Sequence, residues 1–394
     1  MSDHPWPTLR GGQSEFVREH GSERAERFQR AFFEGDPIAD ALFASGADRA
    51  VLMRQLRAAL KAGAAGETDA PEVQAFIADM RGALDGADRE RLERGRRVYL
   101  SIPVLTHSVA LGPGSLVNTY SSPAISRVLV STGRLVEGAL RRLLDTRNWT
   151  YHLYFRDALV PGAGGFEHTG MVRAMHAFSR AQHLDRSADT SEWGAPINSI
   201  DMLRTWFDFT YIPYRGLEKL GYELTPEQTR DVYGFWQVVG RMLGIPADLL
   251  AGLDDHEASE PMVRAIGAVA GSPDEGSRAL VDALVDATAA QLALVLGLPE
   301  GPLRERTQAQ VRILHGDELT DQLGIPRVSI QVAEMMAVPV AKQRYDFLRQ
   351  LPAELETEIA TNEAMLAQLL GATEDGRSAY ETAPAGETPV EAVA

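Results

Sequence analysis

Residues 123–149, PAISRVLVSTGRLVEGALRRLLDTRNW, decide the fold class. Ser122 stands at an N-cap position and Pro123 at the first helical one, where a missing N–H costs nothing and the fixed φ already suits a helix. Behind them apolar residues return with the 3.6-residue period of one buried face, which predicts a long helix ending near Trp149. The same period recurs along the chain, while the strict alternation of a half-buried strand is hard to find. An all-α fold is the expectation.

Upstream, residues 14–33, 49–62 and 71–84 read as amphipathic helices separated by Gly or Pro, and 88–107 as another that ends in Gly112-Pro-Gly114. Downstream, Val160-Pro-Gly-Ala-Gly-Gly165 leads into a helix holding Val172-Arg-Ala-Met-His-Ala-Phe-Ser-Arg180. Asn198 caps an aromatic-rich helix interrupted at Pro213 and closed at Gly221, and Thr225-Pro-Glu opens one running to about Gly244. The helical pattern continues to about Leu370, broken near Gly271, Gly297 and Gly324. From residue 372 on, five acids against one base predict a solvated, disordered tail.

With 394 residues the chain exceeds one ordinary core, so one large domain with extensions, or two domains, is expected. A net charge of −16 without a basic run argues against nucleic acid and against an anionic membrane surface. The opening MSDHPWPTLRGGQSEF lacks the basic start and apolar stretch of a signal peptide, and no segment approaches the roughly 18 apolar residues of a membrane span. A cytoplasmic location is therefore expected. The absence of cysteine excludes disulfides, iron–sulfur clusters, Cys-ligated zinc and a thiolate-ligated haem.

Two short pieces carry chemistry. Arg142-Leu-Leu-Asp-Thr146 places a guanidinium and a hydroxyl one turn apart on one helix face. Such a pair could polarise dioxygen in a dry pocket; alternatively, with Arg141 and Arg147, the arginine answers the negative pole of a helix end. His176 is flanked at i−3 and i+4 by Arg173 and Arg180, which share its face and could meet the carboxylates of a cofactor. Met171, Val172, Met175 and Phe178 make the neighbouring face apolar enough to bury. With no thiol to compete, His176 is the candidate metal ligand, its alternative being a satisfied core histidine.

Other residues divide between structure and site. Asn198 with Asp201 reads as a helix cap, or as a hydrogen-bond support for the ring of His176. Trp206, Phe207, Phe209, Tyr211 and Tyr214 read as core or as substrate wall. His168 and His183 lie too far along the helix from His176 for shared chelation, and His107 reads as local structure. No His-Glu-x-x-His motif, diiron carboxylate pair, phosphate loop or dinucleotide fingerprint is present.

This ordered set resembles the haem oxygenase family that includes the rubber oxygenases (latex-clearing proteins) and the fungal MpaB oxygenases. In that family an Arg-x-x-x-Thr pair precedes a helical histidine that ligates a b-type haem; here Thr146 and His176 are 30 residues apart. Thr132-Gly-Arg-Leu135, Gly194-Ala-Pro-Ile-Asn-Ser-Ile-Asp201, Gly216-Leu-Glu-Lys-Leu-Gly221 and Phe235-Trp-Gln-Val-Val-Gly240 extend the likeness. It covers about residues 90–330. The resemblance implies a haem b-binding oxygenase domain over 91–330 with a globin-like helical core. A helical extension at 1–90, packed C-terminal helices at 331–371 and the tail at 372–394 would flank it. It also implies iron on His176, with Arg142, Thr146 and Asp145 on the opposite, reacting side.

Two departures bear on that transfer. Asp145 stands where some rubber oxygenases place a lysine able to close the iron position. The aspartate either leaves that position open, contacts a polar group of the substrate, or faces solvent. Counting back to the family's distal glutamate reaches Ser126, with Glu137 as a nearby acid of unknown facing. The expected function is haem b-dependent oxidation of a small apolar or aromatic substrate by dioxygen, with cleavage of a carbon–carbon double bond as the family reaction. An electron donor would be needed wherever the iron must be reduced. The alternatives are a monooxygenase or peroxidase-like oxidase that hydroxylates or couples, a non-catalytic haem-binding sensor, and a helical scaffold without cofactor.

Overall fold

The computed structural model describes residues 4–44, 46–130, 135–185 and 189–371, apart from the side chains at 135–140, 142 and 295. Among the described residues every regular element is helical and there is no strand, so the fold is all-α. The N-terminal part comprises α1 (Gln13–His20), α2 (Ser22–Ala31), α3 (Pro37–Ala44), α4 (Arg49–Ala62) and α5 (Pro71–Gly82). The helix expected over 14–33 is two, because Gly21 takes φ 87°, a conformation only glycine adopts freely, and turns the chain between α1 and α2.

Asp88 accepts from the N–H groups of Glu90 and Arg91 to start α6 (Arg89–Leu100). Pro103 then divides the expected 88–107 helix, since the residue before a proline is pushed out of the helical region, and α7 (Val104–Val109) begins afresh. The Gly112-Pro-Gly114 segment, read as a loop from sequence, is a π-helix (Ala110–Leu116) instead. His315 sits between its carbonyls, with Nε2 3.0 Å from Pro113 O and 2.9 Å from Gly114 O, so an imidazole N–H answers groups the irregular turn leaves over.

α8 (Val117–Tyr120), α9 (Pro123–Val130) and α10 (Leu135–His152) follow, so the opening 123–149 stretch forms two helices flanking residues 131–134, which lie outside the described residues. Next come α11 (Gly164–Asp185), which carries His176, α12 (Thr190–Trp193), α13 (Ser199–Phe207) and α14 (Tyr211–Lys219). The break in the aromatic segment falls at residues 208–210 rather than at Pro213, which sits in the tolerant first turn of α14. α15 (Pro226–Met242) opens with a capping box between Thr225 and Gln228. The chain ends in α16 (Ala247–Leu250), α17 (His256–Ala268), α18 (Glu275–Leu296), α19 (Glu300–His315), α20 (Asp317–Gln322), α21 (Ile330–Leu348) and α22 (Pro352–Gly371). The acidic tail lies outside the described residues.

α6 packs closely against α15, and Gly95 explains how. A Cβ there would stand 2.6 Å from the Asp231 carbonyl oxygen and 2.9 Å from Phe235 Cβ, so only glycine lets the backbones meet. One apolar core runs from Phe16, Phe28 and Leu56 through Phe76, Trp206 and Trp236 to Leu366, joining the N-terminal helices and α22 to the middle of the chain. A smaller cluster, with Val117, Leu284 and Val311, ties α8 to α18 and α19. α10 packs against α18 on one side and α11 on another, which brings the two chemistry-bearing helices together. No single described helix is long and apolar enough to cross a membrane; one bent pair, Arg89–Leu100 with Val104–Tyr120, meets that test by length and composition.

Candidate active site

α10, α11, α13, α18 and the segment from the π-helix to α9 enclose a cavity of about 410 Å³, well within the range of small-molecule sites. Leu143, Val172, Met175, Trp149, Phe209 and Trp236 form much of its wall, which is mainly apolar. His176, Thr146 and Asp145 all line it. Sequence reasoning placed these three in one site, and the packing of α10 against α11 brings them to one cavity.

His176 is the central group. Its Nδ1 is buried without a hydrogen-bond partner. Desolvation, aided by the nearby Arg180 charge and only partly opposed by Asp36, lowers its pKa to about 4. The imidazole is therefore neutral at pH 7 and keeps a lone pair, which is the form that binds a metal. Its Nδ1 lacks the partner that a fully satisfied core histidine would give it.

Asp145 is buried, 7% exposed, and is itself partnered, which removes the solvent-facing reading. Thr146 borders the cavity while its carbonyl accepts from the Thr150 hydroxyl at 2.8 Å. Arg142 occupies the preceding turn of α10, but its side chain, like that of Glu137, lies outside the described residues. The Thr132-Gly-Arg134 segment does too.

Arg173 and Arg180 depart from expectation. The Arg173 guanidinium is 2% exposed and holds Asp36 at 2.6 and 2.9 Å and Asp79 at 2.6 Å, with the Phe76 ring 4.9 Å away. Arg180 pairs with Asp40 at 2.8 Å and donates to the Ile197 carbonyl at 2.6 Å. Neither lines the cavity. Arg180 meets His176 only across a separate crevice of about 10 Å³, room for one water at most. Their carboxylate partners are the protein's own, and they act as clamps between α11 and the N-terminal helices.

Asn198 is a cap and not a support for His176. Its Oδ1 accepts from the N–H groups of Ile200 and Asp201, and its Nδ2 donates to Ala195 O and Asp201 Oδ2, which leaves nothing for an imidazole. Asp201 is tied in turn to Arg10 at 2.8 Å. The aromatic run serves both readings. Trp206 and Phe209 reach the cavity wall, Phe207 and Tyr214 are core, and Tyr211 bonds Glu260. His107 is fully structural: its Nε2 bonds the Tyr99 carbonyl at 2.8 Å.

Sequence reasoning missed Asp208. This carboxyl lines the cavity from the C-terminal end of α13 and is 2% exposed. Asn118 Nδ2 donates to it at 2.7 Å and Thr119 Oγ1 at 2.5 Å. Desolvation raises its pKa to about 6 against the opposing pull of Arg204 and those two donors. An acid at the end of an aromatic run was the only local signal. Ser126, at the place of the family glutamate, is buried near Ser277 and offers no acid. Among the described residues, no three His, Asp or Glu side chains converge to hold a bare metal ion.

Residues 103–342 match the family described as "ER-bound oxygenase mpaB/B'/Rubber oxygenase, catalytic domain". No curated protein matches the chain. Among solved structures, that of latex clearing protein in the closed state aligns with a TM-score of 0.64 at 21% identity, covering 87% of this chain and 90% of that one. At that identity the likeness speaks for the all-α fold. The family match, however, spans more than half of the sequence and runs from α7 through the cavity helices into α21, so the chain belongs to the MpaB and rubber oxygenase family, a family of oxygenases.

Proposed function

We propose that this protein is a haem b-dependent oxygenase that uses dioxygen to oxidise a small apolar or aromatic molecule, with His176 as the iron ligand. The observation that carries the reading is a neutral imidazole that lines an apolar cavity and has a buried Nδ1 without a partner. A single histidine suits haem, because the porphyrin would supply most of the iron's ligands itself, and the absence of cysteine leaves histidine as the protein donor. When bound, haem supplies a redox-active iron for dioxygen chemistry.

The chain's own residues supply the remainder. Trp149, Phe209, Val172 and Met175 keep water from the reacting volume, which strengthens every dipole inside it. Thr146 carries a hydroxyl that can donate into the cavity, and Arg142, one turn earlier on α10, is assigned beside it from the sequence pattern. Asp208, with a pKa near 6, can hold a proton on Oδ1 or Oδ2 or release it close to neutral pH. It is our candidate for proton transfer, since counting back to the family's glutamate reaches Ser126. Cleavage of a carbon–carbon double bond is the reaction we favour, on family grounds, with a small diffusible alkene as substrate, in keeping with a cavity of about 410 Å³.

The test is the visible spectrum of the purified protein, ferric, ferrous and with carbon monoxide, beside His176→Ala. A Soret band that carbon monoxide shifts, and that the variant loses or alters, supports the assignment. A protein that stays colourless after haem reconstitution, or a spectrum indifferent to the substitution, overturns it.

A further inference from the structure

Arg147 lines the cavity and forms no ion pair among the described residues. Of the aspartates that share the lining, Asp201 is held by Arg10 and Asp208 by Asn118 and Thr119, and Asp145 is itself partnered. Its Nη2 donates to Asn148 Oδ1 at 3.3 Å, its guanidinium lies 5.8 Å from the Tyr151 ring centre, and its Nε is buried without a partner. Arg10, Arg173 and Arg180 are treated differently, each held by one or more aspartates at 2.6–2.8 Å. Burial also pushes the Arg147 guanidinium down from its ordinary pKa, the cost of a cation set on an apolar wall. Such a charge is unfavourable unless an anion answers it, and Arg147 borders the ligand cavity.

We propose that Arg147 is the receptor for a carboxylate carried by the ligand that fills the cavity, the role that Arg173 and Arg180 do not take. The planar fork offers Nε and Nη donors in the spacing that a carboxylate accepts. Leu143, Trp149 and Phe209 would hold the apolar body of the same ligand. Two sources present this chemistry: a propionate of the haem, in which case the inference rests on the haem reading, or a terminal carboxylate of an apolar substrate.

The test titrates the full-length apo-protein with four probes. Haem and haem dimethyl ester, whose propionates are blocked, are followed by the Soret band. Oleate and methyl oleate are followed by tryptophan fluorescence, since Trp149 and Trp236 border the cavity. The wild type is expected to bind the acid of at least one pair about tenfold more tightly than its ester, the factor of one charge-assisted hydrogen bond. Arg147→Gln loses that preference and Arg147→Lys keeps only part of it, since an ammonium preserves the charge and not the fork.

A preference confined to the haem pair assigns the propionate. One confined to the oleate pair assigns a substrate acid, and it stands even where haem fails to bind and the haem reading falls. Equal affinity for acid and ester in both pairs, or a preference that survives Arg147→Gln, overturns the proposal. Removing an unanswered charge relieves the fold, so Arg147→Gln is expected to melt no lower than the wild type, and Arg147→Met repeats the comparison should it not fold.

Discussion

Thr119 donates its hydroxyl to Asp208 Oδ2 across 2.5 Å, linking α8 to the C-terminal end of α13 at the cavity wall, 89 residues away in sequence. Together with Asn118 it holds the carboxyl in place, yet burial outweighs both donors and Arg204 and raises the pKa to about 6. The unfolded chain ionises this group near 3.8, the ordinary value of an aspartate. The folded state thus binds the extra proton between about pH 4 and 6. Its contribution to stability is complete below that window and is lost as pH rises through it. Asp208→Asn is expected to gain relative to the wild type by up to about 3 kcal/mol between pH 4 and 7, from two pKa units at about 1.4 kcal/mol each. Thermal melts of both proteins across that range check this; parallel curves would refute it.

Buried histidines act in the opposite direction. His168, His176, His256 and His315 are lowered to about 4, and His107 to about 3, chiefly by desolvation. The unfolded chain protonates them near 6.5, so it binds more protons than the fold below that pH. Stability is complete above 6.5 and falls as pH drops toward 4, by about 1.4 kcal/mol per pH unit for each histidine left neutral. Circular dichroism should show a melting temperature that declines steeply between pH 6.5 and 4.5. A flat profile would show that these rings titrate normally.

Arg173 should matter for stability rather than for ligand affinity. Arg173→Ala leaves Asp36, 10% exposed, without its cation, and removing one partner of a buried pair costs about 3–5 kcal/mol. Urea unfolding should record that loss, and replacing Asp36 by Asn in the same protein should recover part of it. Haem affinity per folded molecule is expected to remain within a few-fold. A stable variant with haem binding abolished would return Arg173 to the cofactor.

Gly95→Ala separates backbone approach from helix propensity. Alanine gains up to about 1 kcal/mol in a helix interior. Its Cβ would meet the Asp231 carbonyl oxygen at 2.6 Å, and overpacking of this kind costs about 1–3 kcal/mol. A net fall in melting temperature is expected. A variant as stable as the wild type would mean that α6 can move off α15 freely.

The legible parts of the site were those written within one helix. Thr146, Asp145 and His176 reach one cavity because their helices are neighbours along the chain and pack together. The same reasoning misassigned Arg173 and Arg180. Their place on the His176 face is a local property, but Asp36, Asp79 and Asp40 meet them from 137, 94 and 140 residues away. Asp208 stayed hidden for that reason too, since its donors come from α8. The π-helix at 110–116 was masked by its Gly-Pro-Gly composition, and only the packing of His315 against it shows what satisfies its carbonyls.

By itself the sequence determined the all-α architecture, the caps at Asn198 and Thr225, and the neighbouring helices that carry Thr146 and His176. These follow from period, N-cap chemistry and proline geometry, which act over a few residues. The tertiary structure alone decided which buried charges are answered and which face the cavity. Charge pairing and desolvation depend on what distant helices bring within a few ångströms, and that information lies in no single segment.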